Sequence, residues 1–259
     1  MSSYNALVTD LDGTAIGISS VGNDISENTK KAVQAAQEKG FKITVASGRR
    51  WASTKPIVEH LGIVSPCIVQ GGSCIIDPVT EEILWEKHLD ASAVDATLDI
   101  FKRESDCGDL ATFPIRRQPL VTVDRAPDNA QFMYLLGIPV QTGERIANII
   151  NAQAFAVAHM TPAWDGEDKI DIHVTHPEAT KEHAIAVWQK MVGVSKADTI
   201  GMGDSGNDLP LFLSAGLKVA VGNATNELKQ LADYIAPAQN EDALAHVIGH
   251  FLLSDELTT

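Results

Sequence analysis

The spacing of apolar and polar positions changes period repeatedly along this chain, and the changes mark out its elements. Residues 6–11 form a short apolar run. Ala32, Val33 and Ala36 share one face of a helix, with Ser26 as its N-cap and Gly40 as its stop. Residues 41–46 are β-rich, 52–61 read as a second helix despite Pro56, and 67–69 and 74–76 are short strands around Gly71-Gly72. The rhythm returns near the C-terminus with a helix over 179–191 and a strand over 199–202. A short helix over 208–214, a strand over 218–221, and helices over 226–232 and 242–253 follow. Strands that alternate with helices imply βαβ units and a parallel sheet.

The pattern differs between these halves. A helix over 91–103, capped by Asp90, leads to an alternating segment at 120–123. A second helix over 144–151 precedes strand-like stretches at 154–159 and 169–174. Helices on an antiparallel sheet fit this order. The expectation is an α/β protein: a doubly wound, Rossmann-like parallel-sheet core made of residues 1–83 and 179–259, interrupted by an α+β insert over 84–178.

Composition narrows the partners. The 259 residues are 44% hydrophobic and 21% charged, as in an ordinary globular protein. The balance of 20 Lys+Arg against 34 Asp+Glu gives a net charge of −14, a field that repels nucleic acid and anionic membranes. The insert carries 8 basic and 15 acidic residues and the core 12 and 19, so each is near −7. Three cysteines, Cys67, Cys74 and Cys107, are too few and too odd for a disulfide framework and read as small apolar residues. Two aspartates interrupt the first apolar stretch, which has no basic region before it, so it does not read as a signal peptide. No run approaches the roughly 18 apolar residues of a membrane helix. A cytoplasmic protein, monomeric or homodimeric, is expected.

Asp10-Leu11-Asp12-Gly13-Thr14 ends the first strand. In an extended chain residues i and i+2 share a face, so both carboxylates can converge, and in parallel α/β sheets ligands sit beyond the carboxyl ends of strands. Carboxylates this close share a proton or hold a cation. Alone, the pattern reads equally as a solvated turn. A second acidic run, Gly201-Met202-Gly203-Asp204-Ser205-Gly206-Asn207-Asp208, also follows an apolar strand. One acid there would be a helix cap. Two clusters at the same sheet edge are better explained by a shared hard cation, and oxygen ligands without His or Cys favour Mg²⁺.

These segments, with Ala46-Ser47-Gly48-Arg49 after the second strand and an isolated Lys181, resemble the four ordered motifs of the haloacid dehalogenase superfamily, closest to its Cof-type sugar-phosphatase branch. The resemblance spans essentially the whole chain, and the insert matches the position and size of that branch's α/β cap domain. It implies a Mg²⁺-dependent phosphatase acting on a small phosphorylated metabolite through an aspartyl-phosphate. Asp10 would be the nucleophile, and Asp12 the acid and then the base, its backbone carbonyl on the metal. Lys181 would neutralise phosphoryl charge and restrain Asp10. Leu11, Thr14, Ser47, Gly48, Lys181 and Asn207 would surround the phosphate. Asp10, Asp12, Asp204 and Asp208 would form the metal site, with Asp208 either a ligand or a support. Two departures stand out: Gln70-Gly71-Gly72 replaces the branch's usual Asn-Gly, and Glu182 replaces glycine after the lysine.

Other functions on these residues include a hexose phosphomutase on the same scaffold and a non-catalytic module that senses phosphometabolites. A glycosyltransferase-type metal loop would leave the second acidic run unexplained. Lys181, in the first turn of a helix, opposes the helix dipole, which favours a functional reason for it. Arg49 reads as lining the entrance, and Asn223 either touches the phosphate loops or caps the next helix. His173 and His176 do not read as a metal pair. Arg116, Arg117, Arg125 and Trp164 read first as surface.

Overall fold

A computed structural model describes residues 4–18, 20–105, 109–114, 130–163 and 168–253. The segment at 120–123, Cys107, Arg116, Arg117, Arg125 and Trp164 lie outside the described residues. In chain order the elements are β1 (Ala6–Thr9), α1 (Glu27–Glu38), β2 (Lys42–Val45), α2 (Trp51–Leu61), β3 (Cys67–Val69), β4 (Cys74–Ile76) and β5 (Ile83–Glu86). There follow α3 (Ala91–Glu104), β6 (Asp109–Pro114), β7 (Ala130–Pro139), α4 (Val140–Asn151), β8 (Val157–Pro162) and β9 (Lys169–Thr175). The last are α5 (Lys181–Val192), β10 (Thr199–Gly203), α6 (Leu209–Leu213), β11 (Leu217–Ala220), α7 (Asn226–Leu231), β12 (Tyr234–Ile235) and α8 (Ala243–Phe251). The chain forms two compact units, Met1–Glu86 with Thr180–Thr259, and Lys87–Ala179. β5 crosses the expected boundary at residue 83 because it pairs antiparallel with β4.

In the first unit five parallel strands lie in the order β12-β11-β10-β1-β2. Both faces are covered, which is why the central strands read as continuous apolar runs. Along β1, Leu7 joins a cluster with Val33 of α1, Ile57 of α2 and Val247 of α8. Ala6 and Val8 join another with Ile185 and Trp188 of α5 and Leu211 of α6. The Ser26 hydroxyl accepts from the Thr29 amide at 3.0 Å and caps α1 as expected. A bridge between Ala46 and Ile68 extends the pairing from the end of β2 to β3. The arrangement places the ends of β1, β2 and β10 along one edge.

The second unit is a four-stranded antiparallel sheet, β6-β7-β9-β8. Met133, Leu135, Ile172 and Val174 pack with Val94 and Leu98 of α3 and Ile146 and Ile150 of α4. Asp90 precedes α3 with extended backbone, but its side chain makes no capping bond, so the cap expected there is absent. Among the described residues, no helix is long and apolar enough to cross a membrane.

Candidate active site

The site is assembled from the ends of β1, β2 and β10 and the start of α5. Asp10 continues the β1 ladder, its amide donating to the Met202 carbonyl at 2.9 Å, and its side chain is buried. The chain then folds on the Leu11 carbonyl, which accepts from the amides of Thr14, Ala15 and Ile16. The Leu11 side chain is wholly in the core. Gly13 has φ +77°, and a β-carbon there would stand 2.7 Å from Asp204 Oδ2. Only glycine meets both demands. Asn223 donates to the Gly13 carbonyl at 2.8 Å and accepts from the Gln239 amide, while Thr225 caps α7. That settles the two roles open to Asn223 in favour of the Asp10 loop.

After β10, Asp204 and Ser205 lead into a tight turn at Gly206–Asp208. Asp208 is fully buried, and its Oδ2 accepts from the Asp204 amide at 3.0 Å and the Ser205 amide at 3.3 Å. Thr14 donates to Asp204 Oδ1 at 3.3 Å, linking the two acidic loops.

Lys181 opens α5, which Thr180 caps. Its Nζ donates to Asp10 Oδ1 and to Asp208 Oδ1, each at 2.8 Å, and all three side chains are buried. Ligand atoms of Asp10, Asp204 and Asp208 lie within 4.8 Å of one another. Burial pushes the Asp10 carboxyl up to about 7, with Lys181 pulling down and Asp208 and Asp204 adding to the rise. Burial and then Asp208 raise Asp204 to about 6. Burial also works against the Lys181 charge, but Asp10 and Asp208 outweigh it and hold the ammonium above the ordinary lysine range. One ammonium thus bonds two of three clustered carboxylates. The oxygen-only donors and their excess negative charge suit a hard divalent cation.

Asp12 does not join this group through its side chain. Its carboxylate instead pairs with Arg49, whose Nε donates to Oδ2 at 2.7 Å and whose Nη2 donates to Oδ1. Ser47 is buried after β2; its amide donates to the Ile68 carbonyl, and its Oγ accepts from the Arg49 amide at 3.1 Å. The space beside Gly48 is open. Asn207 is exposed and accepts from the Ser205 hydroxyl at 2.6 Å. Among the described residues, Ser47, Gly48 and Asn207 make no bond to Asp10.

Two residues make contacts at the site that the sequence reading did not foresee. Gly72, with φ +99°, lies against the start of α5, where a β-carbon would stand 2.2 Å from the Thr180 carbonyl carbon. The Gly71-Gly72 pair was the available signal. Arg49 is the second, and no local pattern joins it to Asp12. His173 and His176 act separately, the first in an aromatic stack in β9 and the second accepting from the Glu178 amide.

Known proteins resemble this chain along most of its length. The chain is 25% identical over 253 residues to a 5-amino-6-(5-phospho-D-ribitylamino)uracil phosphatase of Bacillus subtilis, covering 95% of each. It is 22% identical to a phosphoglycolate phosphatase of Methanothermobacter thermautotrophicus, covering 95% of this chain and 98% of that one. A haloacid dehalogenase-like hydrolase from Bacteroides thetaiotaomicron superposes with a TM-score of 0.75 at 20% identity, over 95% of this chain and 99% of that one. A sugar phosphatase of HAD subclass IIB gives a TM-score of 0.72 at 21% identity, over 95% and 98%. The model of the haloacid dehalogenase-like hydrolases matches residues 7–114 and 138–248, which takes in both acidic loops, Ser47 and Lys181. The chain belongs to the haloacid dehalogenase-like hydrolase family.

Proposed function

We propose that the chain is a Mg²⁺-dependent phosphatase that hydrolyses a small phosphorylated metabolite, such as a sugar phosphate, through an aspartyl-phosphate on Asp10. The observation that carries this reading is the buried Lys181 bridge between Asp10 and Asp208 beside Asp204. A structural ion pair needs one carboxylate; two on one ammonium with a third beside them leave excess negative charge that a cation and its anionic ligand would complete. Relatives named as phosphatases support the same chemistry.

Lys181 engages Oδ1 of Asp10 and leaves Oδ2 outside that bond. Attack by an Asp10 oxygen on phosphorus forms one bond as the bond to the leaving oxygen breaks, and Asp12 supplies that oxygen's proton. Water then attacks the same phosphorus, its proton passing to Asp12, and the Asp10 carboxylate departs. Lys181 offsets phosphoryl charge throughout. Asp10, Asp204 and the backbone carbonyl of Asp12 would hold Mg²⁺, with Asp208 placing Lys181 and the Asp204 loop. When bound, the cation neutralises phosphoryl oxygens that would otherwise repel the carboxylates. Ser47, Gly48 and Asn207 would meet the phosphate, and the 84–178 insert would act as a cap that selects the leaving group.

Phosphate release from a panel of phosphorylated metabolites, with and without Mg²⁺, tests the activity. Acid quench during turnover should trap a phosphorylated Asp10. Wild-type-like turnover by a folded Asp10→Asn variant would overturn the mechanism. Isomer formation without phosphate release would instead indicate a phosphomutase.

A further inference from the structure

Arg49 makes three side-chain bonds outside the acidic cluster. Its Nε and Nη2 grip both oxygens of Asp12, and its Nη1 donates to the Ser20 carbonyl at 2.7 Å. The far anchor is itself tied down: Asp24 accepts from the Ser20 hydroxyl and the Gly17 amide, and the Ser20 hydroxyl accepts from the Gly22 amide. The near end is fixed as well. The Arg49 amide donates to Ser47 Oγ, and its carbonyl accepts from the Gln70 amide at 2.8 Å. A guanidinium fastened at both ends presents a planar fork, and a carboxylate held by both prongs cannot rotate about its own axis.

We infer that Arg49 is a positioning residue that orients the Asp12 carboxyl for proton transfer to the leaving oxygen. The inference rests on the proton-donor reading of Asp12 given above. In the first displacement the bond from Asp10 to phosphorus forms, the bond to the leaving oxygen breaks, and the Asp12 proton goes to that oxygen. An alkoxide leaves poorly without that proton. p-Nitrophenolate is stable as an anion and leaves without one. Misplacing Asp12 should therefore hurt an alkyl phosphate far more than p-nitrophenyl phosphate.

The test measures kcat/KM, which reports events only through departure of the leaving group, for both substrates at saturating Mg²⁺. Arg49→Lys keeps the charge and loses the fork. Its kcat/KM for an alkyl phosphate should fall about 10- to 100-fold, with a much smaller fall for p-nitrophenyl phosphate. Arg49→Gln, which keeps a donor without a fork, gives the same comparison should the lysine variant fold poorly. Equal losses on both substrates would assign Arg49 to phosphate binding or general structure and overturn the inference, as would no loss on either. Asp12→Asn in the same assays separates the two levels. If it shows the contrast and the Arg49 variants do not, only the inference fails. If Asp12→Asn lowers both substrates alike, the proton-donor reading fails and takes the inference with it.

Discussion

Gly72 and Lys181 are in such close backbone approach that a β-carbon on residue 72 would lie 2.4 Å from the Lys181 amide nitrogen. Gly72 also has φ +99°, a region that side-chain-bearing residues rarely adopt. The residue that fixes where α5 begins therefore fixes where the ammonium reaches Asp10. Gly72→Ala should lower stability by about 3 kcal/mol or more, since the obstacle is backbone rather than a yielding side chain. In whatever fraction folds, kcat should fall about 100-fold as Lys181 moves. Gly249→Ala, in α8 with open space around it, is the control and should gain about 0.5–1 kcal/mol. Urea titration and steady-state kinetics on both variants decide the point.

Asp208 serves two partners at once, Lys181 through Oδ1 and the amides of Asp204 and Ser205 through Oδ2. Asp208→Ala strips all of these from a fully buried position. It should cost about 3–5 kcal/mol, the scale for breaking one side of a buried ion pair. Asp208→Asn keeps an acceptor for the amides and should cost less. Equal destabilisation by the two variants, measured by urea unfolding, would show that the charge rather than the loop contacts governs stability.

Asp10, Asp204, Asp208 and Lys181 could be read from sequence because each carries a local sign: carboxylates at apolar strand ends, and a lysine opposed to its helix dipole. Their convergence needed only the expectation that parallel strands end on one edge. The Asp12–Arg49 fork had no such sign: each residue stands in a motif of its own, but 37 residues separate the partners and nothing local pairs them. β7 was invisible for a different reason. Phe132, Tyr134 and Leu136 on one face and Met133 and Leu135 on the other are all apolar, so the alternation that betrays a half-buried strand is erased. Asp90 shows the converse error, a residue of the right type at the right place that makes no cap.

Asp10 is raised from 3.8 to about 7 and Asp204 from 3.8 to about 6, so without a cation the folded form binds more protons than the unfolded one across that range. Stability from these groups is fully present below 3.8 and is lost as pH rises through 6 to 7. A divalent cation reverses this by favouring the ionised carboxylates. Mg²⁺ should thus raise the melting temperature strongly at pH 8 and weakly at pH 5, with protons released on binding. Calorimetry in buffers of different ionisation enthalpy would register that release. A Mg²⁺-induced shift as large at pH 5 as at pH 8 would contradict it.

The second unit should respond to acid with the opposite sign. His173 in β9 stacks on Tyr134 with ring centroids 4.5 Å apart and meets Phe132 edge-on at 5.1 Å. Its Nε2 is buried and, among the described residues, has no hydrogen-bond partner. Burial, with His159 adding to it, depresses the imidazole from 6.5 to about 3. The unfolded chain therefore binds the proton first, so stability is full above 6.5 and declines as pH falls toward 3, at up to about 1.4 kcal/mol per pH unit. Amide exchange protection in β7 and β9 should drop between pH 7 and pH 5 while the metal-free first unit holds or gains. His173→Phe keeps an aromatic ring in the stack and removes the titrating group, so its protection should stay flat over that interval. Protection that falls as steeply in His173→Phe as in the wild type would mean that another group drives the acid response.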